Sequence, residues 1–230
     1  MKIHVADGAF DAPVWEPASG DGPGLVLIQE IFGLDEYLKS VAADLAALGY
    51  VVAIPELFWR VAPGWSSGHD DAGVAASMDV ASRFDPTLGV SDVVATLEHL
   101  RARTGRAGLL GFCLGGSLAY EAAMTADPDV TVSFYGSTVP DRITGIDAVT
   151  CPIQFHFGGQ DPYIPRPAVQ HVVDAVADRP NAEIHVQEAA GHAFHSRVAP
   201  KFHHPAAATT AWTLTTEFLA RTFSPDPLLT

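Results

Sequence analysis

The sequence predicts an α/β fold, with a mostly parallel central sheet covered by helices on both faces. Short apolar runs alternate with longer Ala- and Leu-rich stretches along the chain, and such alternation is typical of βαβ units. In the long stretches apolar residues recur at three and four residues, as at Leu38, Val41, Ala42 and Leu45, which is the period of an amphipathic helix. The short runs are apolar throughout, as expected for parallel strands buried on both sides.

The predicted elements follow one another in a regular order. Strands are predicted over residues 24–29, 50–57, 107–112, 130–136, 152–158 and 182–189. Helices are predicted over residues 36–49, 91–103, 115–126, 166–178 and 206–223. Segment 58–89 has a weaker pattern and is interpreted as a partly helical excursion over the strand ends, where such folds place ligand-facing loops. No repeat or low-complexity linker divides the chain, so we expect a single domain over residues 1–230.

Composition and charge argue against several classes of protein. A net charge of −14 argues against nucleic acid or an anionic membrane surface as the partner. The apolar runs are too short to span a membrane, and no secretory signal is visible at the N-terminus, so we expect a cytoplasmic protein. Cys113 and Cys151 form no CxxC pair, and the ten histidines match no ligand pattern, so neither a disulfide framework nor a metal site is expected.

Cys113 stands at a predicted strand-to-helix turn. In "LLGFCLGGSLAY" (109–120), Gly111, Cys113 and Gly115 occupy the G-x-nucleophile-x-G positions of a nucleophile elbow. Such a turn places the thiol near a helix N-terminus, whose dipole favours a thiolate. The backbone N–H of Leu114 then becomes a candidate oxyanion donor. The alternative is an inert cysteine packed between a strand and a helix.

Candidate partners for this cysteine follow two later strands. Asp161 lies in the loop "GQDPYIP" after strand 152–158, and His192 lies in "AGHAF" after strand 182–189. Each alone suits an ordinary loop. The order nucleophile, acid, histidine, with each residue directly after a predicted strand, is that of an α/β-hydrolase triad. We therefore predict a Cys113–His192–Asp161 triad.

The first predicted strand ends in a further candidate region, "LVLIQEIFGLDEY" (25–37). The loop after this strand supplies the second oxyanion N–H in such folds, and here the candidate donor is Ile31. Glu30 precedes it, although a carboxylate near an oxyanion site would repel developing negative charge. We expect Glu30 either to face solvent or cap the next helix, or to interact with Cys113 or Arg60 and help to control the proton of the thiol.

These segments resemble the dienelactone hydrolase (carboxymethylenebutenolidase) family of the α/β-hydrolase fold. The resemblance rests on "QEIFGL", "GLLGFCLGGSLAY", "VSFYG", "HFGGQDPYIP" and "EAAGHAF" and extends over nearly the full chain. It implies hydrolysis of a lactone or an activated ester through a thioester-linked acyl-enzyme, without a cofactor. A thiolate attacks well, and an enolate is a good leaving group.

The resemblance also implies a role for each candidate residue. Cys113 matches the nucleophile, His192 the base and later acid, and Asp161 the residue that orients the imidazole. Glu30 matches a carboxylate that contacts the resting cysteine and helps to deprotonate it when substrate binds. Two backbone amides match the oxyanion hole: those of Ile31 and Leu114.

The substrate pocket departs from the family pattern. Members of the family hold the substrate carboxylate with two arginines, one in the excursion before the elbow helix and one just after the catalytic histidine. Here the first region offers only Arg83 near its end, and Arg197 lies one residue late in the second. Arg60 fits the family pattern, and we expect it to support Glu30. The chain is therefore expected to take a larger or less anionic ester. The pocket candidates are Trp59, Arg60, Trp65, Tyr135, Phe194 and Arg197.

Two alternatives to a lactone hydrolase stay open at this point. The first is a carboxylesterase or thioesterase of broad substrate range that uses the same site. The second is a hydrolase-fold protein that binds a small ligand without turning it over, with Cys113 inert. The sequence predicts no oligomeric state.

Overall fold

The computed structural model describes residues 1–224 and gathers the predicted strands in one sheet. The strands are β1 (Lys2–Val5), β2 (Gly8–Asp11), β3 (Val14–Trp15), β4 (Gly24–Ile28), β5 (Val51–Ala53), β6 (Ala107–Phe112), β7 (Thr131–Phe134), β8 (Ile153–Gly158) and β9 (Ala182–Gln187). The helices are α1 (Glu36–Ala47), α2 (Asp71–Ser82), α3 (Pro86–Thr104), α4 (Leu114–Ala126), α5 (Val139–Arg142), α6 (Arg166–Val176) and α7 (Pro205–Phe223), and a 3-10 helix (Ile143–Ala148) follows α5.

The central sheet has seven strands in the order β3-β5-β4-β6-β7-β8-β9. All neighbours pair in parallel except β3, which runs antiparallel to β5 at one edge. This architecture confirms the predicted α/β fold with a mostly parallel sheet. Because parallel strands end on the same side, the loops after β4, β6, β8 and β9 meet at one edge of the sheet, where such folds bind ligands.

Helices pack on both faces of this sheet, as alternate residues of β4 show. Leu25 and Leu27 belong to a hydrophobic cluster with buried residues of α1 and α7. Val26 and Ile28 belong to a second cluster with buried residues of α3 and α4. Since successive side chains of a strand point to opposite faces, the two clusters lie on the two sides of the sheet.

Several elements differ from the sequence prediction. The strand predicted over residues 50–57 is shorter in the structure, where it ends at Ala53. The excursion contains α2, and α3 begins at Pro86 rather than at residue 91. Asp85 explains that early start, because its Oδ1 caps the helix by accepting a hydrogen bond from the N–H of Thr87 at 2.8 Å. The short strands β1, β2 and β3 were not predicted, since two to four residues carry too little periodicity to identify a strand.

Two further facts concern residues 1–224. No helix there is long and apolar enough to cross a membrane. No group of three or more His, Cys, Asp and Glu side chains there is arranged to hold a metal ion. The prediction of one domain over residues 1–230 includes residues 225–230, which lie outside the described part.

Candidate active site

Cys113 occupies a strained turn between β6 and α4. Its φ of 52° and ψ of −112° lie in a region that residues with a Cβ rarely adopt. The turn is held in place because the N–H of Cys113 donates a hydrogen bond to the carbonyl oxygen of Phe134, at the end of β7, at 3.0 Å. The thiol therefore stands at the carboxyl edge of the sheet, at the start of α4.

The glycines after Cys113 allow the turn to pack against the neighbouring strands. A Cβ on Gly115 would collide with the carbonyl oxygen of Ile28 and lie 2.7 Å from that of Gln29. A Cβ on Gly116 would collide with the carbonyl oxygen of Phe134. The start of α4 thus lies directly against the end of β4, which brings the elbow beside the loop that follows β4.

The three predicted triad side chains form a continuous hydrogen-bonded chain. Nε2 of His192 lies 3.1 Å from Sγ of Cys113, and its Nδ1 lies 2.7 Å from Oδ2 of Asp161. The Asp161 side chain is fully buried, and its Oδ1 accepts hydrogen bonds from the backbone N–H groups of Tyr163 and Ile164. The imidazole is therefore fixed between a thiol and an immobile carboxylate.

The charges around His192 favour a protonated imidazole. Burial by itself lowers the pKa of His192, but the electrostatic and hydrogen-bond effects of Cys113 and Asp161 outweigh burial and raise that pKa to about 11. A thiolate paired with an imidazolium is the nucleophilic form of cysteine.

Cys151 provides a contrast within the same chain. Burial raises the pKa of its thiol to about 11, and the Thr131 hydroxyl lies 3.5 Å from its Sγ. A thiol that keeps its proton is a poor nucleophile.

The two candidate oxyanion donors are backbone amides, one at the elbow and one in the loop after β4. Leu114 is the first residue of α4, so its N–H has no acceptor within the helix. Ile31 follows the end of β4 in the loop against which Gly115 packs. Among the hydrogen bonds of residues 1–224, neither N–H is a donor. Both therefore stay candidate oxyanion donors.

The loop that carries Ile31 is covered by residues 65–69, here called the cover segment. Nε1 of Trp65 donates a hydrogen bond to the carbonyl oxygen of Ile31 at 3.2 Å. The N–H of Leu34 donates to the carbonyl oxygen of Trp65, and the N–H of Ser67 donates to that of Phe32. The excursion thus fixes the loop that holds the candidate oxyanion amide.

Glu30 lies beside this site in a buried position. Its side chain is almost inaccessible, and its Oε2 has no hydrogen-bond partner among residues 1–224. Burial raises the pKa of Glu30 to about 7, although His69 opposes the rise. Within residues 1–224 its carboxylate is hydrogen-bonded to neither Cys113 nor Arg60. The expectations that Glu30 faces solvent or caps the next helix are therefore wrong, since the side chain is buried and Asp35 caps α1. Arg60 pairs with other carboxylates, and a role of Glu30 in controlling the proton of Cys113 stays a prediction.

The buried Glu30 has a measurable cost for folding. An unfolded chain ionises this carboxyl near pH 4.5, whereas the folded chain keeps the proton up to about pH 7. The free energy of unfolding is therefore highest, as far as Glu30 is concerned, below pH 4.5. It falls by about 3 kcal/mol as the pH rises to 7, because over that range the unfolded chain ionises this carboxyl and the folded chain does not. We expect Glu30→Gln to match the wild type near pH 4.5 and to exceed it in free energy of unfolding at pH 8, as measured by urea denaturation. Glu217→Gln, at an exposed position of α7, is the control, and equal behaviour of the two variants would contradict the prediction.

Some of the predicted pocket residues gather around His192. The Tyr135 ring lies 5.1 Å from the His192 ring, centroid to centroid, and Phe194 packs edge-on against Tyr135 at 5.3 Å. Tyr135 has a positive φ of 38°, and its side chain is fully buried. These aromatic side chains form one wall of the candidate site.

Trp59 and Arg60 lie elsewhere. The Arg60 guanidinium binds Asp7 and Asp92 and stacks over the Trp59 ring, while Nε1 of Trp59 donates to Asp92. Arg60 therefore does not support Glu30, as was expected. It is bound instead by two carboxylates that are distant in the sequence, one between β1 and β2 and one on α3.

Arg197 also turns away from the predicted pocket. Its guanidinium binds the Ser40 hydroxyl and the Asp44 carboxylate on α1. The side chain therefore ties the loop after His192 to a surface helix.

Sequence reasoning missed several side chains near the site. His69 pairs with Asp35, and His195 is hydrogen-bonded to Tyr37 at 2.7 Å. Burial lowers the pKa of His195 to about 3, so this imidazole is neutral. Tyr163 lies edge-on to His192 at 5.1 Å and is exposed. No local pattern marks these residues, because their neighbours come from separate loops.

Comparisons with known proteins agree with this geometry. The family model described as the dienelactone hydrolase family matches residues 10–223. A carboxymethylenebutenolidase from Pseudomonas putida is 32% identical over 232 residues, which cover 99% of this chain and 98% of the relative. One from Pseudomonas sp. (strain P51) is 33% identical and covers 93% and 91%.

Solved structures show the same architecture. A crystal structure from Klebsiella pneumoniae subsp. pneumoniae MGH 78578 that bears the dienelactone hydrolase name superposes with a TM-score of 0.82, at 25% identity, over 96% of this chain and 97% of that one. A dienelactone hydrolase-like promiscuous phosphotriesterase from metagenomic libraries superposes with a TM-score of 0.78, at 21% identity, over 97% and 98%.

Proposed function

The chain belongs to the dienelactone hydrolase family, and we propose that it hydrolyses its lactone or ester substrate through an acyl-enzyme on Cys113. One observation carries the choice of mechanism, namely the unbroken chain from the Cys113 thiol through His192 to the buried Asp161 carboxylate. A thiol, a base and an orienting acid in contact are what nucleophilic catalysis requires.

The first half of the reaction forms a thioester. The Cys113 thiolate attacks the carbonyl carbon, and the carbonyl electron pair moves to its oxygen. The N–H groups of Ile31 and Leu114 stabilise this oxyanion. When the intermediate collapses, the C–O bond breaks, and the leaving oxygen takes the proton of the His192 imidazolium.

The second half releases the acid. Neutral His192 takes a proton from a water molecule, whose oxygen attacks the thioester carbon. The tetrahedral intermediate expels the thiolate, which leaves the carboxylic acid and restores the pair of Cys113 thiolate and His192 imidazolium. Asp161 keeps the imidazole oriented in both halves.

We propose Glu30 as a second proton acceptor for the thiol. With a pKa of about 7, its carboxyl both gains and loses a proton near neutral pH, which suits a general base. In some molecules Cys113 and His192 both carry a proton, so that His192 cannot take the proton of the thiol. In these molecules we propose that Glu30 takes it.

The charges around the site favour a substrate without a carboxylate. Every arginine of the chain pairs with an Asp or Glu side chain, including Arg83 with Asp79 and Arg197 with Asp44. The net charge of −14 further disfavours an anion. A neutral lactone or an uncharged ester therefore suits the site, and a broad-range carboxylesterase or thioesterase activity at the same residues is the second candidate.

A substrate panel tests this choice. We expect kcat/KM to be about tenfold or more higher for a neutral ester than for the same ester with a free carboxylate. The panel pairs dienelactone with its methyl ester and adds p-nitrophenyl esters of several chain lengths, with Cys113→Ala as the blank. A preference for the carboxylate would show that a cation binds the substrate and would overturn the assignment of a neutral substrate, but not the mechanism.

A ligand-binding protein without catalysis is the least favoured alternative, because the imidazolium beside Cys113 would serve no purpose in it. A cytoplasmic location and the lack of nucleic-acid or membrane partners stay predictions of the sequence.

A further inference from the structure

A buried glutamine binds the peptide group that carries the Ile31 N–H. Nε2 of Gln29 donates a hydrogen bond to the carbonyl oxygen of Glu30 at 3.2 Å. Its Oε1 accepts a hydrogen bond from the backbone N–H of Leu57 at 3.2 Å. Gln29 is only 1% exposed, and an acceptor on one side with a donor on the other fixes the orientation of its amide. Gln29 therefore ties the loop after β4 to the residues that follow β5.

The hydrogen bond to Glu30 restrains the Ile31 N–H through the peptide bond. The carbonyl of Glu30 and the N–H of Ile31 belong to one planar, trans peptide group, in which they point in opposite directions. Fixing the carbonyl therefore fixes the direction of the N–H. A rotation of this peptide group would break the hydrogen bond and leave the buried amide of Gln29 without this acceptor, which is unfavourable.

The next peptide group of the loop is held by the cover segment. Nε1 of Trp65 donates a hydrogen bond to the carbonyl oxygen of Ile31 at 3.2 Å. Gly33, whose φ is 73°, pairs with Ser66 in an antiparallel bridge. A Cβ on Gly33 would collide with the carbonyl oxygen of Trp65, so the two segments are in close contact. Gln29 and Trp65 therefore hold the two peptide groups that meet at the Cα of Ile31.

We propose that Gln29 and Trp65 are positioning residues that hold the Ile31 N–H in the direction in which it binds the oxyanion. They act through the backbone of Ile31 and its neighbour. An oxyanion develops when the thiolate attacks the ester and again when water attacks the thioester, so both halves of the reaction use this N–H. The proposal rests on the proposed function, because it takes Ile31 as an oxyanion donor.

Gln29→Met tests the proposal, since methionine keeps an unbranched side chain of similar length and cannot donate a hydrogen bond. We expect kcat/KM for p-nitrophenyl acetate to fall by about tenfold or more, because a misplaced donor stabilises the oxyanion less well. Gln154→Met is the matched control. Gln154 is also buried, and its amide donates to Glu183, but it lies near the start of β8. Its loss should lower stability and leave the rate close to the wild-type value.

Two measurements distinguish a misplaced oxyanion donor from a damaged site. Iodoacetamide alkylates Cys113 by displacement of iodide from carbon, which forms no oxyanion, so this rate should stay close to the wild-type value. Phenyl trifluoromethyl ketone inhibits when the thiolate adds to its carbonyl carbon and the carbonyl oxygen becomes an oxyanion. Its inhibition constant should therefore rise by about the factor by which kcat/KM falls. Equal losses in hydrolysis and alkylation would indicate a general structural effect and overturn the proposal.

Trp65→Phe is a second variant, which keeps an aromatic ring and removes the N–H that binds the Ile31 carbonyl. We expect the same pattern with a smaller loss, because the bond it removes belongs to the peptide group after the Ile31 N–H. Trp59→Phe, which loses a hydrogen bond to Asp92 on α3, is its control. An unchanged kcat/KM in either folded variant, Gln29→Met or Trp65→Phe, would overturn the proposal.

Cys113→Ala, assayed beside these variants, separates the proposal from the proposed function. If Cys113→Ala is inactive and Gln29→Met hydrolyses the ester at the wild-type rate, the positioning role is wrong and the acyl-enzyme mechanism stands. If Cys113→Ala is as active as the wild type, the proposed function itself is wrong.

Discussion

Cys113→Ala is expected to lower kcat/KM for an activated ester by about 10⁴-fold or more. Removing the nucleophile of a hydrolase removes the covalent route altogether, and what remains is the effect of binding and the oxyanion donors. The same substitution removes one of the two anions that raise the pKa of His192, so the His192 imidazole should release its proton at a lower pH than in the wild type. Hydrolysis kinetics and an NMR titration of the His192 ring measure the two effects.

Cys151→Ala is the matched control for this variant. Cys151 is buried against Thr131 and holds its proton, so its loss should affect stability and leave hydrolysis close to the wild-type rate. Equal activity of Cys113→Ala and the wild type would disprove the acyl-enzyme. Equal loss in both cysteine variants would point to a general structural effect.

Gly115→Ala is expected to destabilise the fold by about 3 kcal/mol. The added Cβ would collide with the carbonyl oxygen of Ile28 and lie 2.7 Å from that of Gln29. Both neighbours are backbone atoms of the end of β4, so relief requires the strand or α4 to move. The free energy of unfolding is obtained from urea denaturation at a pH where the wild type is stable.

The same substitution should also reduce turnover, because the displaced backbone leads directly to Ile31. Gly68→Ala serves as the control, since a Cβ there has no neighbour within 4 Å and its φ is not positive. A Gly115→Ala protein as stable as Gly68→Ala would show that the elbow and β4 are not in tight contact.

The fold and the candidate triad could be predicted from the sequence for one physical reason. Cys113, Asp161 and His192 each follow an apolar strand, and parallel strands bring such positions to the same edge. The prediction needed only local patterns and the order of the elements.

The partners of the charged side chains were not predictable in this way. Arg60 is held by Asp7 and Asp92, which are separated from it by more than thirty residues, about two supersecondary units. Ion pairs and burial are set by tertiary packing, which leaves no periodic trace in the sequence.

The positive φ of Cys113 has a consequence for handling the protein. An unfolded chain has no reason to keep that backbone angle, and it has neither His192 nor a helix N-terminus beside the sulfur, so both of its cysteines become ordinary thiols. At mildly acidic pH an ordinary thiol reacts slowly, whereas a thiol in contact with an imidazole that can hold its proton reacts faster. Alkylation under those conditions therefore counts natively folded molecules in a preparation, one sulfur for each molecule.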